Sequence, residues 1–247
     1  MTVPQGRAEE ARAVMVDLFP EGFEEVEVEG AVQLAAYTNA GGEERIWHIF
    51  GAASGVDVPD GWEERWREFH RPVRVGELWI GPPWEEPPGD ALVVSVDPGR
   101  AFGTGGHPTT RLCLALLGEL PRGSLLDVGC GSGVLAIAAV RIGFGPVLAV
   151  DVDPAAVEAT ARNAAANDVA LDAWRADALA EPLPSTDVGV ANIARAAVEA
   201  LAPRLDCTRL VVSGYLEHEQ PAVAGFRHVR RRTDAGWAAD VFERERE

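Results

Sequence analysis

Between two apolar runs the chain carries Asp127-Val128-Gly129-Cys130-Gly131-Ser132-Gly133, an aspartate followed by three glycines at alternate positions. Glycine there lets a ligand approach the backbone closely, and a helix starting just beyond turns its free N–H groups towards that ligand. Twenty residues after Gly131, Asp151 ends the next apolar run, where a carboxylate accepts hydrogen bonds from both hydroxyls of a ribose. Together these residues read as a site for a ligand containing adenosine. The spacing leaves the ligand open. Gly131-x-Gly133-x-x-Ala136 also meets the dinucleotide fingerprint that accepts alanine at its last position, and a bare strand-to-helix turn is the plain alternative.

Asp177 closes a third apolar segment, either as a polar contact for a base or as a turn and cap aspartate. Asn192, in Ala191-Asn192-Ile193, offers a neutral amide at the end of a fourth, or else an N-cap for the following helix. Upstream, the stretch from Asp97 to Thr110, with Phe102, Gly103, Thr104 and His107 inside it, is polar and rich in glycine, a composition suited to shaping a site. His107 is either a general base or a residue that orders this loop through a hydrogen bond. His48, His70, His218 and His228 read as ordinary surface or core histidines. Cys113, Cys130 and Cys207 are odd in number and lack C-x-x-C spacing, so neither a disulfide framework nor a metal site is expected.

Periodicity names the elements that must hold these residues. Beyond about residue 91, strands are expected over Ser124–Val128, Val147–Val152, Leu171–Ala176, Val188–Ile193 and Arg209–Ser213. Helices alternate with them over Val134–Ile142, Pro154–Asn167 and Ala194–Leu205, and Arg227–Arg232 and Trp237–Phe242 form a closing antiparallel pair. Unbroken apolar strands belong to a parallel sheet covered on both faces, so this is a doubly wound α/β domain with its ligand beyond the carboxyl ends of the strands. The first part reads differently, crowded with Glu and holding five of the seven tryptophans. A helix over Ala8–Leu18 and strands over Phe23–Glu29, Val32–Tyr37 and Arg45–Phe50 give a small α+β domain, residues 1–58. A helix over Gly61–His70 and a Pro- and Gly-rich extended stretch, Arg71–Asp90, make residues 59–90 a connection to the main domain, 91–247. The early tryptophans read mostly as linker and core residues, with Trp47 or Trp84 as the candidates for lining a substrate groove.

All 22 cations are arginine; the chain has no lysine. That excludes chemistry needing a lysine of its own, such as a Schiff base, a pyridoxal anchor or a P-loop. With 39 acidic residues the formal charge is −17, which argues against a free-standing nucleic-acid binder and favours a basic partner, simple solubility being the other reading. The Arg227, Arg230, Arg231 and Arg232 cluster is expected on the solvated face of an edge strand, contact with RNA on a larger particle being the other reading. No membrane span or secretory signal is read, and without a disulfide framework a reducing cytoplasm is the default; a monomer is expected.

Asp127 two residues before the first glycine, in the order D-x-G-x-G-x-G, resembles motif I of the Rossmann-like methyltransferases. The upstream stretch closely resembles the D-P-G-x-A-F-G-T-G-x-H-P-T-T signature of the bacterial ribosomal-protein methyltransferases of the PrmA family, and the D-V-G-C-G-S-G loop, D-V-D-P and A-N-I strengthen it. The resemblance covers roughly residues 61 to 247. It implies a class I S-adenosylmethionine-dependent enzyme that methylates lysine side chains and the N-terminal amine of the large-subunit stalk-base protein L11. It also implies cofactor contacts from Thr110, Gly129, Asp151 and Asn192, with Asp127, Gly131 and Asp177 beside them and Phe102, Gly103 and Thr104 at the methionine end. Asn192 is expected to orient the amine rather than to act as a base. One departure is expected: family members begin with a strand before the first helix, whereas residues 1–9 here are polar and strand-poor. A methyltransferase for another protein's lysines or for a small molecule, a nicotinamide-dependent oxidoreductase and a non-catalytic adenosylmethionine-binding module are the rival functions. Base methylation of nucleic acid is disfavoured, because Ala191-Asn192-Ile193 is not the Asn/Asp-Pro-Pro-aromatic sequence of such enzymes.

Overall fold

The computed structural model describes residues 1–18, 24–28, 30–36, 38, 40–51, 71–97 and 105–245. It divides into two compact units, Met1–Trp66 and Arg67–Glu247. In the smaller, β1 (Thr2–Pro4), β2 (Glu24–Val28) and β3 (Ala31–Ala35) form an antiparallel sheet in the order β1-β3-β2. Helices α1 (Ala8–Leu18) and α2 (Ala40–Phe50) complete it. Ala8, Ala11 and Met15 of α1 pack with Val3, Val32, Leu34 and Ile46 in one core.

Two expectations are corrected here. A strand was expected over Arg45–Phe50, but those residues end α2: Gly42 and Ile46 are buried and Phe50 packs on the core, while His48, which a strand would turn to the same face as Ile46, is exposed. Short apolar runs do not separate the two periods by themselves. Residues 1–9 were expected to lack a strand, yet β1 pairs with β3 through Thr2, Val3 and Pro4. A three-residue edge strand with one buried side chain, Val3, leaves almost no hydrophobic pattern to read.

In the larger unit, β4 (Val73–Val75), β5 (Leu78–Gly81) and β6 (Leu92–Ser95) form a small mixed sheet. The stretch Arg71–Asp90, expected to be extended connection, thus contains β4 and β5, and Leu78 and Ile80 share a core with Leu112 and Leu116. The helix expected over Gly61–His70 lies outside the described residues.

The main sheet has seven strands: β7 (Leu125–Val128), β8 (Val147–Asp151), β9 (Asp172–Arg175), β10 (Thr186–Asn192), β11 (Cys207–Leu216), β12 (Phe226–Asp234) and β13 (Trp237–Arg244). Their spatial order is β12-β13-β11-β10-β7-β8-β9, parallel except for β13, which runs antiparallel between β11 and β12. Helices α3 (Pro108–Glu119), α4 (Val134–Arg141), α5 (Pro154–Ala166) and α6 (Arg195–Leu201) cover it. Neighbouring residues point to opposite faces and both faces are buried: Leu125 and Val190 belong to one core, Leu126 and Ala191 to the other. Strand order reverses at β7, with β8 on one side and β10 on the other, and this opens a crevice at their carboxyl ends.

Candidate active site

The glycine loop runs from the end of β7 into α4. Gly129, Gly131 and Gly133 all have positive φ, at 75°, 55° and 80°. A Cβ on Gly129 would lie 2.6 Å from Ile193 Cγ2, and one on Gly133 would lie 2.8 Å from Thr160 Cγ2. These positions need glycine for both conformation and space. The loop's outward carbonyls are held by α5: the Thr160 hydroxyl donates to Gly131 O at 3.0 Å and Asn163 Nδ2 donates to Ser132 O at 2.8 Å.

Asp151, last residue of β8, accepts the Gly131 N–H at 3.0 Å on Oδ2 and the Asp153 N–H at 3.0 Å on Oδ1. A carboxylate has about four lone-pair positions, so two remain for ligand hydroxyls. Asp127 lies buried at 1% exposure, its Oδ2 accepting the Ala136 N–H at 3.1 Å and its Oδ1 without a partner among the described residues. Burial raises its pKa to about 7; the Ala136 bond opposes this and the Asp151 charge adds to it.

At the end of β10, Asn192 Nδ2 donates to Thr110 Oγ1 at 3.4 Å, joining this strand to the first turn of α3. The cap of α6 is Ala194, so Asn192 is not its N-cap. His107 caps α3, its Nδ1 accepting the Thr109 N–H at 3.4 Å and lying 2.7 Å from Thr109 Oγ1. Burial and then the charge of Arg111 lower its pKa below the usual 6.5. Asp177 serves its own turn, with Oδ1 accepting the Leu179 N–H at 2.9 Å.

One cleft of about 420 Å³ gathers most of these residues. Thr110, Gly129, Gly131, Asp151, Asp177 and Asn192 line it, with Val128, Cys130, Leu135 and Ile193 as apolar wall, while Asp127 lies beneath the loop. The volume falls within the range of small-ligand pockets. Phe102, Gly103 and Thr104 lie outside the described residues. Sequence reading missed Thr160 and Asn163, although polar residues on the buried side of an alanine-rich helix were a visible sign. It also missed Gly214, φ 104°, where a Cβ would lie 2.1 Å from Ile193 O beside the site. A glycine inside an apolar strand marks such close approach.

The dinucleotide-binding order has six strands, 3-2-1-4-5-6; here antiparallel β13 is inserted beside β11. That sheet, with its glycine loop and the acid ending β8, defines a Rossmann-like methyltransferase domain. Residues 15–245 match the family model described as ribosomal protein L11 methyltransferase (PrmA), and the chain belongs to that family. It is 45% identical over 208 residues to the ribosomal protein L11 methyltransferase of Pelobacter propionicus, spanning 74% of this chain and 66% of that one. With the protein of the same name from Bordetella bronchiseptica the identity is 42% over 244 residues, 90% of this chain and 76% of that one. Among solved structures, the ribosomal protein L11 methylase of Lactobacillus delbrueckii subsp. bulgaricus aligns with a TM-score of 0.64 at 29% identity, covering 72% of this chain and 100% of that chain.

Proposed function

We propose that the chain transfers a methyl group from S-adenosylmethionine to lysine side-chain and N-terminal amines of ribosomal protein L11. The observation that carries this reading is the convergence on one cleft of Asp151, the glycine loop and the Asn192–Thr110 pair. The cleft suits the cofactor: Asp151 keeps acceptor capacity for ribose hydroxyls, and Gly129 and Gly131 line the wall beside it without side chains. Asp177 stands on the same wall for the adenine end. When bound, the sulfonium supplies an already activated methyl group.

What remains for the protein is to hold a neutral amine in line with that methyl, and positioning supplies most of the acceleration. A lysine of reference pKa about 10.4 must shed its proton, which partial desolvation eases without a strong base. Asn192 commits Nδ2 to Thr110, leaving Oδ1 to accept a hydrogen bond from the amine. His107, engaged as a helix cap, is a support rather than a base. The ribosomal substrate makes the cytoplasm the place of action.

The test is incubation of the chain and adenosylmethionine with unmethylated L11, followed by intact-mass and peptide mass spectrometry. Mass increments of one methyl at lysines or at the N-terminus are expected. Cofactor binding without any increment would sink the substrate and leave the methyltransferase fold standing. For Asn192→Ala the expected result is a single-turnover rate lower by about 10- to 100-fold, the order a lost positioning contact costs, with cofactor affinity little changed. Equal rates would remove Asn192 from its orienting role.

A further inference from the structure

The turn joining β12 to β13 lies far along the chain from the glycine-rich signature, yet it grips the start of α3 by two contacts. Asp234 and Trp237 pair across a two-residue loop whose central residues, Ala235 and Gly236, have φ 49° and 81°. Two positive φ values make a type I′ turn. Alanine carries no side-chain group to ease a left-handed conformation, and backbone strain of this kind collects at functional sites. From this turn Asp234 Oδ2 accepts hydrogen bonds from Arg111 Nε at 3.1 Å and Nη2 at 2.5 Å. The third arm of the fork, Arg111 Nη1, donates to Gly106 O at 2.5 Å. Trp237 places its ring edge-on to His107, centroids 4.9 Å apart.

Arg111 follows Thr110, the partner of Asn192, and His107 caps the helix on which both Thr110 and Arg111 ride. We propose that the β12–β13 turn is a latch for the active site, in which Asp234, acting through Arg111, and Trp237, acting through His107, fix Gly106–Arg111 so that Thr110 holds Asn192 in register with the methyl to be transferred. This rests on the methyl-transfer reading above. Asp234 and Arg111 are positioning residues, since neither lines the cleft. The planar fork of Arg111 suits the task, because it binds a carboxylate and a carbonyl at fixed angles that a lysine would not enforce.

The side chains of Arg111 and Asp234 are 31% and 41% exposed, so loss of the pair should hardly change global stability. The experiment uses the full chain with adenosylmethionine and unmethylated L11. In Asp234→Asn the single-turnover rate should fall by about tenfold while cofactor affinity, read by calorimetry, stays near that of wild type. Amide exchange over Gly106–Arg111 should quicken at an unchanged melting temperature. Arg111→Gln should behave alike, and the double variant should lose no more than either single one. A wild-type rate in Asp234→Asn, or losses that simply add, overturns the latch. If the wild-type chain transfers no methyl to L11, the substrate reading has failed instead. Exchange then decides the latch: faster exchange over Gly106–Arg111 in Asp234→Asn supports it, and unchanged protection overturns it.

Discussion

Asp127 is a carboxyl group held where its charge is disfavoured. Buried beneath the glycine loop with one oxygen unpartnered, it has a pKa raised to about 7 from 3.8. The folded chain therefore binds this proton more tightly than the unfolded chain does. Its contribution to stability is complete below pH 3.8 and is lost as pH rises through about 7. In Asp127→Asn that loss should vanish, so melting temperatures of the two proteins should converge on a shared trend at low pH and separate towards pH 8, the wild type falling faster. Parallel curves across that range would show that Asp127 ionises normally. Asp151 is tied to two backbone N–H groups. For Asp151→Ala, cofactor affinity should drop by about 1.5–3 kcal/mol, the range for hydrogen bonds to a charged group; calorimetry giving wild-type affinity would remove Asp151 from the site. Asp151 was legible from spacing, because the acid twenty residues after Gly131 is set by the length of a helix and a strand, whereas Asp127 was legible through the resemblance of D-x-G-x-G-x-G to motif I of the methyltransferases. The supports were not legible in that way. Thr160, Asn163 and Asp234 reach the loops only after the chain has folded, and nothing local marks their partners.

Elements were readable where one period dominated. Helix α1 has the expected limits, and each expected strand of the main sheet overlaps an observed one; β7, β10 and β11, buried on both faces, advertise themselves as apolar runs. The small unit was harder. In α2 two glycines and scattered apolar residues blur the helical period, and β1 is too short for any pattern. Strands β4 and β5 lie in Pro- and Gly-rich chain, where composition suggested extension but β4 pairs with β5 and β5 with β6. The break in β11 belongs to the same scale. Its register shifts between Ser213 and Tyr215, and Gly214 in the gap lets the backbone of Ile193 pass beside it. Ile193 N donates to Ser213 O at 3.1 Å, so this irregularity sets where β10 ends and where Asn192 stands. For Gly214→Ala, positive φ and a carbonyl at 2.1 Å leave no room. Destabilisation of about 3 kcal/mol or more is expected, at the upper end for single substitutions. A melting temperature within a degree or so of wild type would mean that the bulge relaxes freely.

At the scale of the whole molecule, charge is the dominant long-range property. Met1–Trp66 holds 14 acidic residues against 4 arginines, so it carries −10 of the total −17. The basic cluster on β12 does not offset this as a free patch. Arg227 pairs with Glu243, Arg230 and Arg232 with Glu119, and Arg231 with buried Asp240. Paired arginines offer little to a phosphate backbone, in keeping with the proposed protein substrate. Having no lysine, the chain presents no lysine side chain to its own chemistry, so every methyl-lysine formed in its presence belongs to a substrate. An acidic chain and a basic protein attract one another beyond contact distance, and this attraction is screened over about 8 Å at physiological ionic strength. On that basis kcat/KM for L11 should fall several-fold between about 0.05 M and about 0.5 M salt. Single-turnover rates at saturating substrate should hardly move, because the reacting groups sit in a cleft where they are screened less. If kcat/KM stays flat over that range, the negative charge serves solubility, and recognition of the substrate must rest on short-range contacts instead.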